Sequence, residues 1–208
     1  MKILYQDDEI IVVDKGSGFL SVPGRGPEKL DSVAHRVREM PQCELVHPEV
    51  HRLDMDTSGI LVLAFNKAAQ RELSIQFQDR DVQKRYVALL EGHLEGESGT
   101  IELPIRLDVD NRPRQIYDAV HGKPSTTHWE KVAIEGPYTR ISLKPITGRT
   151  HQLRVHVTHE LGLGIPIVED PLYGNGTDPG KMKLHACELS FRHPTTGEKM
   201  TYQSDPPF

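Results

Sequence analysis

Apolar residues along this chain come in short runs broken by Gly, Pro and charged positions, and the spacing inside each run points to its element. Leu4–Tyr5 and Ile10–Asp14 read as two short strands flanking a turn at Asp7–Asp8. Gly16-Ser17-Gly18 and Val22-Pro23-Gly24 are loop chemistry, and Asp31 or Ser32 caps a short helix that runs to Glu39. Ile60-Leu61-Val62-Leu63-Ala64-Phe65 is apolar without alternation, the pattern of a central strand covered on both faces. Asn66 caps the next helix, where Ala69, Leu73 and Phe77 form one apolar stripe while Lys67, Arg71 and Gln78 face water. Tyr86–Leu90, Ile101–Leu107, Arg114–Val120, Thr126–Ile134 and Arg140–Leu143 read as strands, with turns at Asp110-Asn111 and Gly122-Lys123-Pro124. Thr147-Gly148 ends the last of these, and the spacing predicts a helix from Arg149 to Leu161 with Leu153, Val157 and Leu161 on its buried side. Leu184–Phe191 and Met200–Gln203 close the sheet. The expectation is an α+β fold, a single domain over residues 1–208 with a mixed or antiparallel β-sheet core flanked by helices and loops. No linker or internal repeat interrupts it.

Composition narrows the class. With 208 residues, 37% hydrophobic and 26% charged, the chain can bury a real core and is neither fibrous nor disordered. No apolar run approaches the ~18–20 residues needed to span a bilayer. The acidic start Met1–Glu9 has no signal-peptide core, and only Cys43 and Cys187 are present, so a reduced, cytoplasmic protein is expected. The net charge of −5 argues against a generally basic nucleic-acid binder. The stretch Tyr138–His159 departs from that average, carrying Arg140, Lys144, Arg149, Arg154 and three histidines with no acid. A local patch of this kind can bind a polyanion whatever the net charge.

Three constellations could carry chemistry. The densest is His51-Arg52-Leu53-Asp54-Met55-Asp56-Thr57-Ser58-Gly59, immediately before the buried strand. A carboxylate at the edge of a core element is desolvated, which raises its pKa unless a cation such as Arg52 or Arg154 restores the anion. The plainer account is a polar loop whose acids and hydroxyls satisfy backbone groups. The second is Thr147–His156, a Gly turn leading into a helix start with two arginines, suited to phosphate but equally to a solvated helix face. The third is Lys84-Arg85-Tyr86, where the tyrosine can be core as readily as site.

Two metal readings match their patterns poorly. His156-Val157-Thr158-His159-Glu160 matches neither H-E-x-x-H nor H-x-x-E-H. Asp54-Met55-Asp56-Thr57 resembles the D-x-D opening of haloacid-dehalogenase-type phosphatases, but there the apolar strand precedes the pair and here it follows. A Mg-dependent phosphatase is therefore the weaker alternative.

Taken in order, these segments resemble the RluA family of RNA pseudouridine synthases. Its H-R-L-D-x-x-T-S-G signature is met by His51–Asp54 and Thr57–Gly59, its K-x-Y-x-A element by Lys84–Ala88, its T-G-R-x-H-Q-L-R-V-H element by Thr147–His156 and its L-H-A element by Leu184–Ala186. Smaller matches run from Asp14-Lys15 through Val22-Pro23-Gly24 to Pro171-Leu172-Tyr173-Gly174, so the resemblance covers nearly the whole chain. It implies isomerisation of uridine to pseudouridine in structured RNA, in 23S rRNA and/or the tRNA anticodon stem-loop, with no metal or organic cofactor; the sequence shows no self-association seam, so a monomer is expected. It implies a catalytic set of Asp54 as the essential carboxylate, Tyr86 stacking on the base and moving a proton at C5, and Arg154 as the partner of Asp54. His51, Arg52, Thr57, Arg149, His151 and Leu184 form the implied RNA- and substrate-contacting set, Leu184 as the apolar wall against uracil. The target base must leave its stack for chemistry at C1′, which is cheapest in a loop.

The chain departs from the family pattern in three places. Gly16 stands where proline is common, Asp56 brings a second acid to a variable position of the signature, and the segment Gly164–Asp170 lacks the usual His after its Gly and the usual Gly before its Asp. Asp56 is expected to point away from the site. The alternative from another class is an RNA-binding or RNA-folding module that keeps the fold without the reaction, and mutation of Asp54 separates the two.

Overall fold

The computed structural model describes all residues, Met1 to Phe208. They fold as two compact units, Met1–Lys84 with His185–Pro207 and Arg85–Leu184 with Phe208. No separate linker joins them: the boundaries fall inside one strand, between Lys84 and Arg85, and at the start of another, between Leu184 and His185.

The first unit is a mixed sheet with two helices. Strands β1 (Lys2–Gln6), β2 (Ile10–Lys15) and β3 (Ser58–Ala64) pair antiparallel in sequence order. β3 then pairs parallel with β10 (Leu184–Arg192), which pairs antiparallel with β11 (Lys199–Gln203). Every residue of β3 is buried, as its unbroken apolar run requires of a central strand. Helix α1 (Val33–Arg38) starts at Ser32, whose Oγ accepts the His35 N–H, and α2 (Lys67–Asp79) starts at Asn66, whose side chain accepts the Ala69 N–H. The α2 stripe of Ala69 and Leu73, with Phe77 at its margin, packs into a core with Ile10, Val12, Ile60, Val62 and Phe191.

The second unit is an antiparallel sheet ordered β4 (Gln83–Glu91), β9 (Tyr138–Pro145), β8 (Thr126–Glu135) and β5 (Ser98–Glu102). A separate hairpin of β6 (Ile105–Leu107) and β7 (Gln115–Tyr117) and the helix α3 (Gln152–Thr158) complete it. Its core gathers Ala88, Leu90, Ile141, Leu143, Leu153, Val157, Ile167 and Leu184. No helix of the chain is long and apolar enough to cross a membrane.

The α+β class and the mixed sheet are as expected; some boundaries differ. The run Ile101–Leu107 is broken into β5 and β6 around Leu103-Pro104, because proline has no N–H to give a ladder. The strand expected over Arg114–Val120 contracts to β7, where Asp118 instead accepts the Val120 and His121 N–H groups in a turn. The helix expected from Arg149 to Leu161 spans only Gln152–Thr158. His151 before it is left-handed at φ 53°, and Leu161 lies beyond it at 58% exposure rather than on a buried face.

Candidate active site

In the first unit the signature loop is pinned from behind by the segment after β2. Lys15 ends β2 opposite Gly59 of β3, and its side chain is fully buried. Its Nζ donates to the carbonyls of Gly16 (3.0 Å), Phe19 (2.7 Å) and Met55 (3.0 Å). Ser17 Oγ donates to the Asp56 carbonyl at 2.5 Å and the Gly18 N–H to the Met55 carbonyl at 2.9 Å. Ser21 Oγ both donates to the Leu53 carbonyl and accepts the Leu53 N–H. The Thr57 N–H closes the turn on the Asp54 carbonyl at 3.2 Å. The main chain on either side of Asp54 is thus held by five side-chain or backbone donors, which fixes the point from which its carboxylate extends.

Charge in this loop is balanced by a buried cation. Burial pushes the Lys15 ammonium down to about 8, while the nearby carboxylates of Asp56, Asp54 and Asp14 favour its charged form. Asp54 is half-buried and Asp56 is 7% exposed. Lys15 was visible in the sequence only as part of a minor match. Nothing in its spacing signalled that it reaches Met55, since that contact needs the β2–β3 pairing.

The end of the signature serves the sheet. Ser58 Oγ meets His185 Nδ1 at 2.9 Å, and His185 Nε2 donates to the Ser204 carbonyl at 3.1 Å. Gly59 has φ 116°, and a Cβ there would lie 2.3 Å from the Ala186 carbonyl oxygen. The Leu-His-Ala element therefore belongs with the signature because β10 runs against β3 at this point. His51 Nε2 accepts the Val62 N–H at 3.1 Å, and its ring stacks on Phe77 with centroids 4.4 Å apart. Burial, followed by the charge of Lys84, pushes its pKa down to about 3, so it is a neutral acceptor. Arg52 is exposed and Thr57 is buried.

In the second unit Arg154 is 2% exposed and Asp170 is fully buried. They form a bidentate pair, Nε to Oδ2 at 2.8 Å and Nη2 to Oδ1 at 2.7 Å. Asp170 Oδ1 also accepts the Leu172 and Tyr173 N–H groups. Burial works to raise the Asp170 pKa, and the guanidinium and the two N–H donors overcome it to hold the carboxyl below its ordinary value. Just before it, Glu169 stands at φ 59°, the position where the family pattern has glycine. Tyr86 packs against the cluster that contains Leu184, Leu143 and Leu153. His151 Nδ1 meets the Tyr173 hydroxyl at 2.8 Å. Arg149 is exposed, its Nε 3.4 Å from the Pro124 carbonyl.

The basic stretch Tyr138–His159 is not one surface patch. Arg154 and His156 are buried and Arg140 is paired with Glu135, leaving Lys144 and Arg149 exposed. His156 Nε2 meets Ser125 Oγ at 2.8 Å, and no three His, Cys, Asp or Glu side chains converge as metal ligands around it or elsewhere.

The fold is thus α+β, with a pinned turn carrying Asp54 in the first unit and the buried Arg154–Asp170 pair in the second. The family model for RNA pseudouridylate synthase matches residues 9–159. Dual-specificity RNA pseudouridine synthase RluA of Haemophilus influenzae is 46% identical, over 100% of this chain and 94% of that one. The enzyme of the same name from Escherichia coli K12 is 47% identical over 99% and 93%. Among solved structures, human RNA pseudouridylate synthase domain containing 1 superposes with a TM-score of 0.78 at 32% identity, covering 100% of this chain and 84% of that one. The chain belongs to the RNA pseudouridine synthases of the RluA family, isomerases that convert uridine to pseudouridine in RNA.

Proposed function

We propose that this enzyme modifies uridines in both rRNA and tRNA stem-loops, as a cytoplasmic monomer and without a cofactor, with Asp54 as its essential carboxylate. The observation that carries the assignment of Asp54 is the pinned turn: donors from Lys15, Ser17, Gly18, Ser21 and Thr57 fix the backbone from Leu53 to Asp56. The two RluA relatives, both named as dual-specificity enzymes, support the breadth of substrate.

In this reading the target uridine is flipped out of its loop. Asp54, ionised, promotes cleavage of the N1–C1′ bond. The freed uracil turns, C5 bonds to C1′, the C5 proton leaves and N1 takes up a proton. Tyr86 stacks on the base and serves proton transfer at C5, Leu184 walls the apolar side, and Arg154 balances Asp54. Arg52 and Arg149, both exposed, take RNA phosphates, with His151 beside them. His51 and Thr57 support the loop from within rather than touching RNA, because one ring is spent on Val62 and Phe77 and the other side chain is buried.

The test uses unmodified tRNA and 23S rRNA transcripts carrying tritium at uracil C5. Wild type should release tritium to water from both, and Asp54→Asn from neither. Equal release by Asp54→Asn would end the assignment of Asp54, and release from one RNA class alone would end the dual specificity.

A further inference from the structure

Tyr173 lies where three parts of the second unit meet. Its hydroxyl accepts the Gln115 N–H of β7 at 2.7 Å and, with its one proton, meets His151 Nδ1 at 2.8 Å. The Arg154 guanidinium lies over its ring, 5.1 Å from the centroid, and the Arg114 guanidinium lies 5.7 Å from the same centroid. The His151 ring meets it edge-on with centroids 5.6 Å apart. Its own N–H donates to Asp170, the carboxylate that grips Arg154.

The two arginines on this ring differ in their surroundings. Arg154 is buried and gripped bidentately by Asp170. Arg114 is exposed at the turn end of the hairpin, donates to the Leu172 carbonyl and has no carboxylate partner. An exposed guanidinium held by a carbonyl and an aromatic face keeps its charge available for phosphate. Neighbouring Arg112 is exposed as well. An anion on Arg114 changes the field on the ring that Arg154 leans against and the position of Leu172, whose N–H also donates to Asp170.

We infer that Tyr173 is a positioning residue that couples the β6–β7 hairpin to Arg154, so that an RNA phosphate bound at Arg114 sets the catalytic orientation of the buried guanidinium. The inference rests on the role assigned to Arg154 above. Tyr173 touches no reacting atom; it acts through Arg154, and its removal must appear in kcat more than in KM. Arg114, by contrast, carries a phosphate contact and must appear in both.

Steady-state tritium release is measured on the same tRNA transcript for Tyr173→Phe, Tyr173→Leu, Arg114→Gln, the double variant Tyr173→Leu/Arg114→Gln, and Arg154→Ala. Losing the hydroxyl alone in Tyr173→Phe should lower kcat about 3- to 10-fold with KM near wild type. Losing the ring as well in Tyr173→Leu should lower it about 30-fold or more. Arg114→Gln should lower kcat in the wild-type background and leave it unchanged in the Tyr173→Leu background, because the link is already cut. Multiplicative losses in the double variant, or a wild-type kcat in Tyr173→Leu, overturn the coupling. Tyr173→Phe keeps the packed ring, so an unfolded Tyr173→Leu leaves the hydroxyl prediction to decide, and a wild-type kcat in Tyr173→Phe then overturns it. If Arg154→Ala is itself fully active, the role of Arg154 has failed. If Arg154→Ala is inactive while Tyr173→Leu is not, only the coupling has failed.

Discussion

Lys15 Nζ donates to the carbonyl of Met55 at 3.0 Å, joining the end of β2 to the residue that follows Asp54. The bond is made by a fully buried ammonium that also serves two other carbonyls. Lys15→Met keeps the volume and removes the charge. It leaves three main-chain carbonyls short of their ammonium donor and Asp54 and Asp56 short of a cation, so kcat should fall about 10-fold or more and stability by about 2 kcal/mol. Kinetics and urea unfolding on the same preparation check both; an unchanged kcat would show that the loop holds itself.

Asp170 is the counterpart on the other unit. Asp170→Asn removes the charge that neutralises the buried Arg154, and breaking a buried pair from one side costs about 3–5 kcal/mol. The drop should be read from the shift in urea midpoint, and a loss below about 1 kcal/mol would mean that Arg154 has other compensation.

Glu169 departs from the family glycine at a left-handed position, φ 59°. A side chain there costs about 1–2 kcal/mol, and the extra freedom of an unfolded glycine returns part of it. Glu169→Gly should stabilise the protein by about 0.5 kcal/mol, a rise of about 1–2 °C in melting temperature. A fall in melting temperature would locate a stabilising role in the glutamate side chain.

Gly59 allows no such exchange. A Cβ would press on the Ala186 backbone at 2.3 Å from a backbone at φ 116°. Gly59→Ala should therefore lose about 3 kcal/mol or more by splaying β3 from β10. Near-wild-type melting of this variant would contradict the close approach of the two strands.

Acid should weaken the fold well above the carboxylate range. His156 is fully buried; burial brings its pKa down to about 4, and the Leu103 contact only partly opposes this. Unfolded, it titrates near 6.5, so between those values the unfolded state binds more protons than the folded one and stability rises with pH. His51 and His185 are shifted in the same direction, mainly by burial. His51 and His156, held near 3 and 4 when folded, each contribute about 2 kcal/mol of loss between pH 7 and pH 5. Unfolding free energy should be highest above pH 7 and fall through that window, and His156→Gln should flatten the slope; a wild-type slope in the variant would exclude His156 as its source.

The sequence by itself determined most of the local structure and the family. The unbroken apolar run at Ile60–Phe65 suited a central strand, and Asn66 and the pair Asp31-Ser32 marked the helix starts, with Ser32 the actual cap, because capping is a contact within three residues. The four motifs identified the family and pointed to Asp54, Tyr86 and Arg154 as the residues to test. Tertiary structure decided what each residue is for. The ring of His51, half-buried, accepts the Val62 N–H, and the Thr57 N–H closes a turn on the Asp54 carbonyl, contacts that the motif alone does not show. The basic run read as one patch, yet Arg154 is buried against Asp170, which directly follows the left-handed Glu169. Lys15, the cation of the signature loop, stands far from it along the chain. A motif records which residues occur together; burial and long-range pairing assign their charges and hydrogen bonds, and those depend on strands and loops that meet only in the folded chain.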